Sequence, residues 1–214
     1  MSSKPPAPKA GIRVKVAILG TYNVGKTALV DRFVKNRFDC DIESTIGGVF
    51  ATKNVMVPSG EIASLHIWDT AGSEKFKSLI PAYLRGAHVV FICYPSGGGD
   101  MEEIKNQIRT VREFCPLGRI FFVETKLDLA RGITDDSIAN FVSANEYKIH
   151  KTSALTGEGI VELFQHAANI GLVLKKSELG DEPDFQVKPE DIPRPSIYST
   201  LLRTSTAGEC CAVL

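Results

Sequence analysis

One string limits what this chain can fold into more than any other. Residues Gly20 to Thr27 read GTYNVGKT, follow an apolar run and lead into a helical period. The pattern G-x-x-x-x-G-K-[ST] at a strand-to-helix junction gathers main-chain N–H groups around one point, with a helix N-terminus behind them. Such a concavity suits a polyphosphate. Gly20, Asn23, Val24 and Gly25 shape the loop, Lys26 reaches for the outer phosphates, and the Thr27 hydroxyl is placed to meet Mg²⁺.

The flanking pattern sets the architecture. Val14 to Leu19 and Ser64 to Trp68 read as strands, and Val89 to Cys93 and Ile120 to Val123 are continuous apolar runs expected of strands buried on both faces. Between and after them come apolar residues three or four apart: Ala28, Leu29, Phe33 and Val34; Met101, Ile104, Ile108 and Val111; Ile160, Leu163, Phe164 and Ala167. Alternating strands and helices predict an α/β domain, doubly wound, with a mostly parallel sheet and ligands gathered at the carboxyl ends of its strands. Pro58-Ser59-Gly60 between two β-like segments predicts a hairpin, hence one antiparallel edge strand.

Two further segments lie where that architecture would bring them to the phosphate loop. Asp69-Thr70-Ala71-Gly72 follows Ile67-Trp68, placing a carboxylate near the metal and a glycine N–H near a γ-phosphate. Thr125-Lys126-Leu127-Asp128 follows a buried strand, so the Asp128 carboxylate is set to accept from guanine's ring N–H and exocyclic amine together. Adenine lacks that donor pair, and a site built around it rejects ATP. Ser153-Ala154 offers backbone N–H to the oxo group of the base.

These residues resemble the Ras superfamily, and its Rab family in particular, over about Val14 to Val173. Thr45-Ile46-Gly47-Gly48-Val49-Phe50 resembles the first-switch signature, SLHIWDTAGSEKF from Ser64 to Phe76 the second, and Ala82 to Ala87 the stretch after it. The resemblance implies a P-loop GTPase domain that cycles between GTP and GDP with Mg²⁺ and recruits effectors when γ-phosphate orders both switches. It implies Mg²⁺ contacts from Thr27, Thr45 and Asp69, a Phe38 ring against the guanine, and a Lys126 stem over it. Lys26, Thr45, Gly72 and Ser73 then surround the transferred phosphoryl group.

Three departures stand out. Ser73 occupies the position where the family commonly has a water-orienting glutamine. Tyr22 stands where Ras has glycine; its bulk either crowds the γ-phosphate and any arginine finger or turns outward. Thr125 replaces the usual asparagine, though TKLDL resembles Rac-type relatives, so guanine selection is expected to survive. Slow hydrolysis and a resting population biased toward the GTP form follow from the first two. The alternatives are a GTP-holding, effector-recruiting module that barely hydrolyses, and a P-loop ATPase or small-molecule kinase, which has no need of Asp128.

The ends carry a different signal. Residues 1–11 hold three prolines and no apolar run of the kind a secretory signal needs, and read as a disordered arm. The domain is expected over 12–174, because the helical period stops after about Lys175 and Pro183, Pro189, Pro193 and Pro195 break the chain; 175–214 reads as a flexible tail. No apolar run approaches the roughly 20 residues that span a bilayer. The chain instead closes on Cys210-Cys211-Ala212-Val213-Leu214, a C-a-a-X string whose leucine favours geranylgeranyl on Cys211, with Cys210 a second lipid candidate. From Lys175 onward five basic residues face seven acidic ones, so the anchor has no polybasic help and calls for two lipids. Cys40, Cys93 and Cys115 are scattered, which fits a reducing compartment. Lys+Arg and Asp+Glu balance at 25 each, which draws the chain to no nucleic acid. The expected setting is the cytosolic face of an intracellular membrane, with a cytosolic pool. Expected partners are effector, exchange and activating proteins at the switch loops, prenyl-transfer machinery, and a lipid-extracting chaperone that docks Ile197, Leu201 and Leu202. The chain itself is expected to be a monomer.

Overall fold

A computed structural model of the chain describes residues 11–129 and 137–179. Residues 1–10 of the arm expected over 1–11, and the tail beyond Leu179 with Ile197, Leu201, Leu202, Cys210 and Cys211, lie outside the described residues.

Six strands form one sheet: β1 (Ile12–Gly20), β2 (Gly48–Met56), β3 (Ile62–Thr70), β4 (Val89–Pro95), β5 (Arg119–Thr125) and β6 (Ile149–Lys151), in the order β2-β3-β1-β4-β5-β6. Every pairing is parallel except β2 with β3, which runs antiparallel from Gly48↔Thr70 to Met56↔Ile62. The predicted hairpin closes it: Gly60 N–H donates to the Val57 carbonyl at 2.9 Å, and Gly60 sits at φ +79°, a conformation open to glycine.

Successive side chains along a strand point to opposite faces, and here both faces are covered. Val14, Val16 and Ile18 of β1, Phe91 of β4 and Phe121 of β5 belong to one core, with α1 (Lys26–Lys35) and α5 (Ile160–Leu179) over it. Ala17, Leu19, Val90, Ile92 and Phe122 belong to the other, under α2 (Ile80–Leu84), α3 (Met101–Phe114) and α4 (Ser137–Ala144). This explains why the central strands read as unbroken apolar runs rather than alternations. Phe164 of α5 stacks on Phe33 of α1 at 3.8 Å between centroids and meets Phe91 edge-on at 5.4 Å, tying both helices to the sheet. Each fully buried phenylalanine contributes about 1.5–3 kcal/mol.

Two helix ends follow local chemistry. Asp100 caps α3, its carboxylate accepting from the N–H of Glu102 at 2.9 Å and of Glu103 at 3.3 Å. At its far end α5 runs to Leu179, beyond the point near Lys175 where its apolar spacing ends. Ion pairs hold that extra turn: Lys176 meets Glu61 at 2.8 Å, and Lys175 meets Glu178 at 2.8 Å.

Parallel pairing fixes where the loops emerge. Gly20, Cys93, Val123 and His150 occupy one row across β1, β4, β5 and β6, so the segments that follow these strands share one edge of the sheet.

Candidate functional site

A cavity of about 880 Å³ opens at that edge, within the size range of small-ligand pockets. At one end is the Gly20–Thr27 loop. Gly25 is the residue that caps α1 and takes φ +95°, with Asn23 at +59°, so the loop turns through conformations that L side chains seldom adopt. The α1 N-terminus opens directly behind it, which favours an anion.

Lys26 is buried, and its ammonium donates to the carbonyls of Gly20 and Thr21, both at 2.9 Å. Burial lowers its pKa, with Cys93 and then Asp69 opposing that shift. Its donors thus fold back on the loop in a position from which they can turn to phosphate oxygens. Thr27 donates to Asp69 Oδ2 at 2.6 Å, and since that uses its one proton, Thr45 must be the donor in the 2.8 Å contact between the two threonine hydroxyls. Three segments that are far apart in the chain meet here through oxygen atoms.

The chemistry of these donors fits magnesium. Asp69 is 1% exposed, and its Oδ1 accepts no hydrogen bond from the described residues. Burial pushes its carboxyl up to about 6, against the lowering pull of the Thr27 hydroxyl and the Lys26 charge. A hard divalent cation beside Asp69, Thr27 and Thr45 would satisfy the orphaned oxygen and hold the carboxylate ionised.

The strip after Asp69 lies close against the phosphate loop. A Cβ on Gly72 would sit 2.5 Å from the Thr21 carbonyl oxygen and 2.6 Å from Lys26 Nζ, so this approach is available to glycine alone. Thr70 pins the strip to β1 by donating to the Ile18 carbonyl at 2.6 Å, and Ala71 N–H donates to the Gly47 carbonyl at 2.8 Å, joining it to the segment around Thr45. Ser73 borders the cavity at the start of a 3-10 turn over Glu74–Leu79, without capping it through its side chain.

At the other end, Thr125 explains its own presence. It is 3% exposed, and its hydroxyl lies 2.6 Å from the Val24 carbonyl and 3.1 Å from that of Tyr94, tethering the base segment to the phosphate loop. Lys126, at φ +58°, repeats the tether by donating to the Asn23 carbonyl at 2.6 Å. Asp128 Oδ1 accepts from the Ser153 hydroxyl at 2.5 Å, which orients the carboxylate.

Twelve of the sequence-derived residues therefore line one cavity: Asn23, Gly25, Lys26, Thr27, Phe38, Thr45, Gly72, Ser73, Thr125, Lys126, Asp128 and Ala154. Gly20, Val24, Asp69 and Ser153 stand behind that lining as partners of its members. Tyr22 also borders the cavity. It neither packs inward nor turns away: it is 64% exposed, and its hydroxyl lies 3.1 Å from that of Ser44, bridging the mouth. Leu129 and Leu155 at the base end, and Cys40, Lys75 and Phe76 elsewhere, line the cavity without having been anticipated. No polar or spacing signal marks the two leucines.

Comparison with known proteins agrees with this geometry. A Ras family model matches residues 15–171. The chain is similar to "GTP-binding protein ypt5" of Schizosaccharomyces pombe, at 36% identity over 74% of this chain and 78% of that protein. It is similar also to "Ras-related protein Rab-24" of Dictyostelium discoideum, at 34% over 75% of this chain and 81% of the relative. With "Ras-related protein Rab-5B" of Plasmodium falciparum it shares 31% identity over 73% of its own length and 77% of the relative's.

Proposed function

The chain belongs to the Ras family as a Rab-type small GTPase, and on that premise we propose that it is a membrane-trafficking switch that binds Mg-GTP, recruits effectors, and hydrolyses GTP slowly. The observation that carries the reading is the convergence of Thr45 and Gly72 on the phosphate loop. Thr45 reaches the Thr27 hydroxyl at 2.8 Å, while Gly72 leaves no room for a Cβ beside Thr21 and Lys26. One γ-phosphate placed between them tethers both segments, and its loss frees them.

The residues divide the work. The Gly20–Thr27 main chain and Lys26 hold the phosphates, Asp128 and Ala154 with Ser153 select guanine, and Phe38 and the Lys126 stem cover its ring. Thr27, Thr45 and Asp69 are the residues for magnesium, which when bound neutralises charge on the β- and γ-phosphate oxygens. Hydrolysis is a transfer of the γ-phosphoryl group to water. Ser73, too short to reach where a glutamine would, orients that water poorly, and Tyr22 restricts access to the phosphate from outside.

The Tyr22–Ser44 contact across the mouth favours a second reading, in which the protein holds GTP and recruits effectors with almost no turnover. Single-turnover hydrolysis with and without an activating protein separates the two. The test of both is the nucleotide found in freshly purified protein, followed by that time course. Guanine nucleotide, magnesium dependence and slow turnover that rises on Ser73→Gln are expected. Turnover at rates ordinary for the family would defeat the slow switch, and an absence of magnesium-dependent affinity for GTP or GDP would defeat the switch itself.

Membrane attachment is proposed through prenyl groups on Cys211 and Cys210, on the cytosolic face of an intracellular membrane with an extractable cytosolic pool. Among the described residues no helix is long and apolar enough to cross a membrane. Replacing both cysteines by serine should move the protein to the soluble fraction; continued pelleting with membranes would count against the anchor. Prenyl-transfer machinery, a lipid-extracting chaperone, and exchange and activating proteins at the switches complete the proposed partners of a monomeric chain.

A further inference from the structure

A second chamber, of about 30 Å³, lies between the second switch and α3. Its walls include Gly20, the Thr70–Ser73 strip and Lys77, with Glu103 and Gln107 of α3, and it shares Thr70, Gly72 and Ser73 with the nucleotide cavity. Gln107 is 9% exposed. Its Nε2 donates to Glu103 Oε1 at 3.5 Å, whereas its Oε1, fully buried, accepts nothing from the described residues. Turning the amide over would set its oxygen against the Glu103 carboxylate, so the orientation is fixed by charge. Glu103 is held in turn by Lys77 of the second switch, 3.3 Å away.

An uncompensated amide oxygen in a native interior calls for a partner, and about 30 Å³ bordered by Ser73, Lys77, Glu103 and Gln107, with Leu19 and Ile80 as its apolar walls, is room for one water. We propose that Gln107 Oε1 accepts from a water held in this chamber, and that this water ties α3 to the Gly72-Ser73 end of the second switch. Gln107 is thereby a positioning residue for the glycine that faces the γ-phosphate. The water completes a ring from Lys77 through Glu103 and Gln107 back to Gly72. That ring exists only while the second switch lies against the phosphate loop, so Gln107 favours the GTP-ordered arrangement. The link to the switch rests on the proposed function; the water site does not.

Gln107→Met keeps the length of the side chain and removes the acceptor. Diffraction at a resolution that reveals waters, on wild-type protein loaded with magnesium and a non-hydrolysable GTP analogue, should show a peak within hydrogen-bonding distance of Gln107 Oε1; a dry chamber overturns the proposal. In solution Trp68, the one tryptophan of the chain, reports on the switches through its contact with Tyr83 at 5.5 Å. In Gln107→Met the Trp68 emission change on replacing GDP by the analogue should shrink, and hydrolysis should slow by about fivefold, the scale of one net hydrogen bond. GDP affinity should stay within about twofold while affinity for the analogue falls by about the same fivefold, and the melting temperature of the GDP form should not fall, because a buried polar group has been removed. A wild-type emission change, or parallel losses of GDP affinity and melting temperature, would overturn the positioning role. Should Gln107→Met fail to fold, Gln107→Leu serves the same comparison. Wild-type protein that binds no guanine nucleotide defeats the proposed function instead, and diffraction on the nucleotide-free protein still decides the water.

Discussion

The Thr27 hydroxyl donates to one oxygen of the Asp69 carboxylate at 2.6 Å, while the other oxygen is buried and receives no hydrogen bond from the described residues. Half of that carboxylate is thus left for a cation, and the nucleotide-free protein bears the strain.

Burial raises the Asp69 pKa from 3.8 to about 6. The folded chain then holds the proton more tightly than the unfolded one, so this group's contribution to stability declines as pH rises through that interval. The full deficit, reached above about pH 6, is about 2–3 kcal/mol. Asp69→Asn should therefore stabilise the nucleotide-free protein near neutrality while weakening magnesium-dependent nucleotide binding. Urea unfolding of both proteins across this range should show the gap widening with pH; a constant gap would reject the assignment.

The His150–His166 pair predicts the opposite slope. Their rings lie 3.1 Å apart, nitrogen to nitrogen, both stacked on Phe121. Burial first, then His166 and Lys148, lowers His150 from 6.5 to about 4; burial and Lys148 lower His166. Stability is intact above the unfolded value and is lost as pH falls toward the folded one. At about pH 5, His150 alone should cost the wild type about 1 kcal/mol relative to pH 7, the full shift being discounted because solvent screens a ring that is only partly buried. His150→Phe should lose correspondingly less in denaturant titrations at the two pH values.

Thr125→Val keeps the shape and removes the hydroxyl that lies 2.6 Å from the Val24 carbonyl. A buried acceptor left without its donor costs about 1–3 kcal/mol, and the looser loop should release nucleotide about tenfold faster. Dissociation of fluorescent GDP measures this directly, and an unchanged rate would mean that Lys126 suffices as the tether.

Asp100→Ala removes the cap of α3. The expected loss is about 1 kcal/mol, or roughly 2–4 °C in melting temperature. Nucleotide affinity should be untouched, since Asp100 does not border the cavity.

Much of this molecule is legible in its residues. The runs at Val89 and Ile120 announce strands covered on both faces, and the phosphate loop announces the edge where the cavity opens. The shortest elements escape. β6 spans three residues at the sheet margin, too few for any alternation to register, and α4 commits only Ile138 and Val142 to the core. The last turn of α5 is held by ion pairs, which leave no apolar period to read. In the site, residues with distinctive chemistry are recognisable, whereas Leu129 and Leu155 are walls chosen for bulk. Tyr22 was visible as an anomaly, but its reach to Ser44 depends on where the intervening chain folds back.

The two bonds from Thr125 and Lys126 to the phosphate loop have a kinetic consequence. They make the purine grip and the loop one rigid unit, to which the Thr45 segment is joined mainly through hydroxyl contacts. Under the proposed function, a partner that pries the Thr45 segment loose uncovers the phosphates and draws Phe38 off the ring, but leaves that unit whole. The nucleotide should then leave phosphates first, with the purine released last by Asp128.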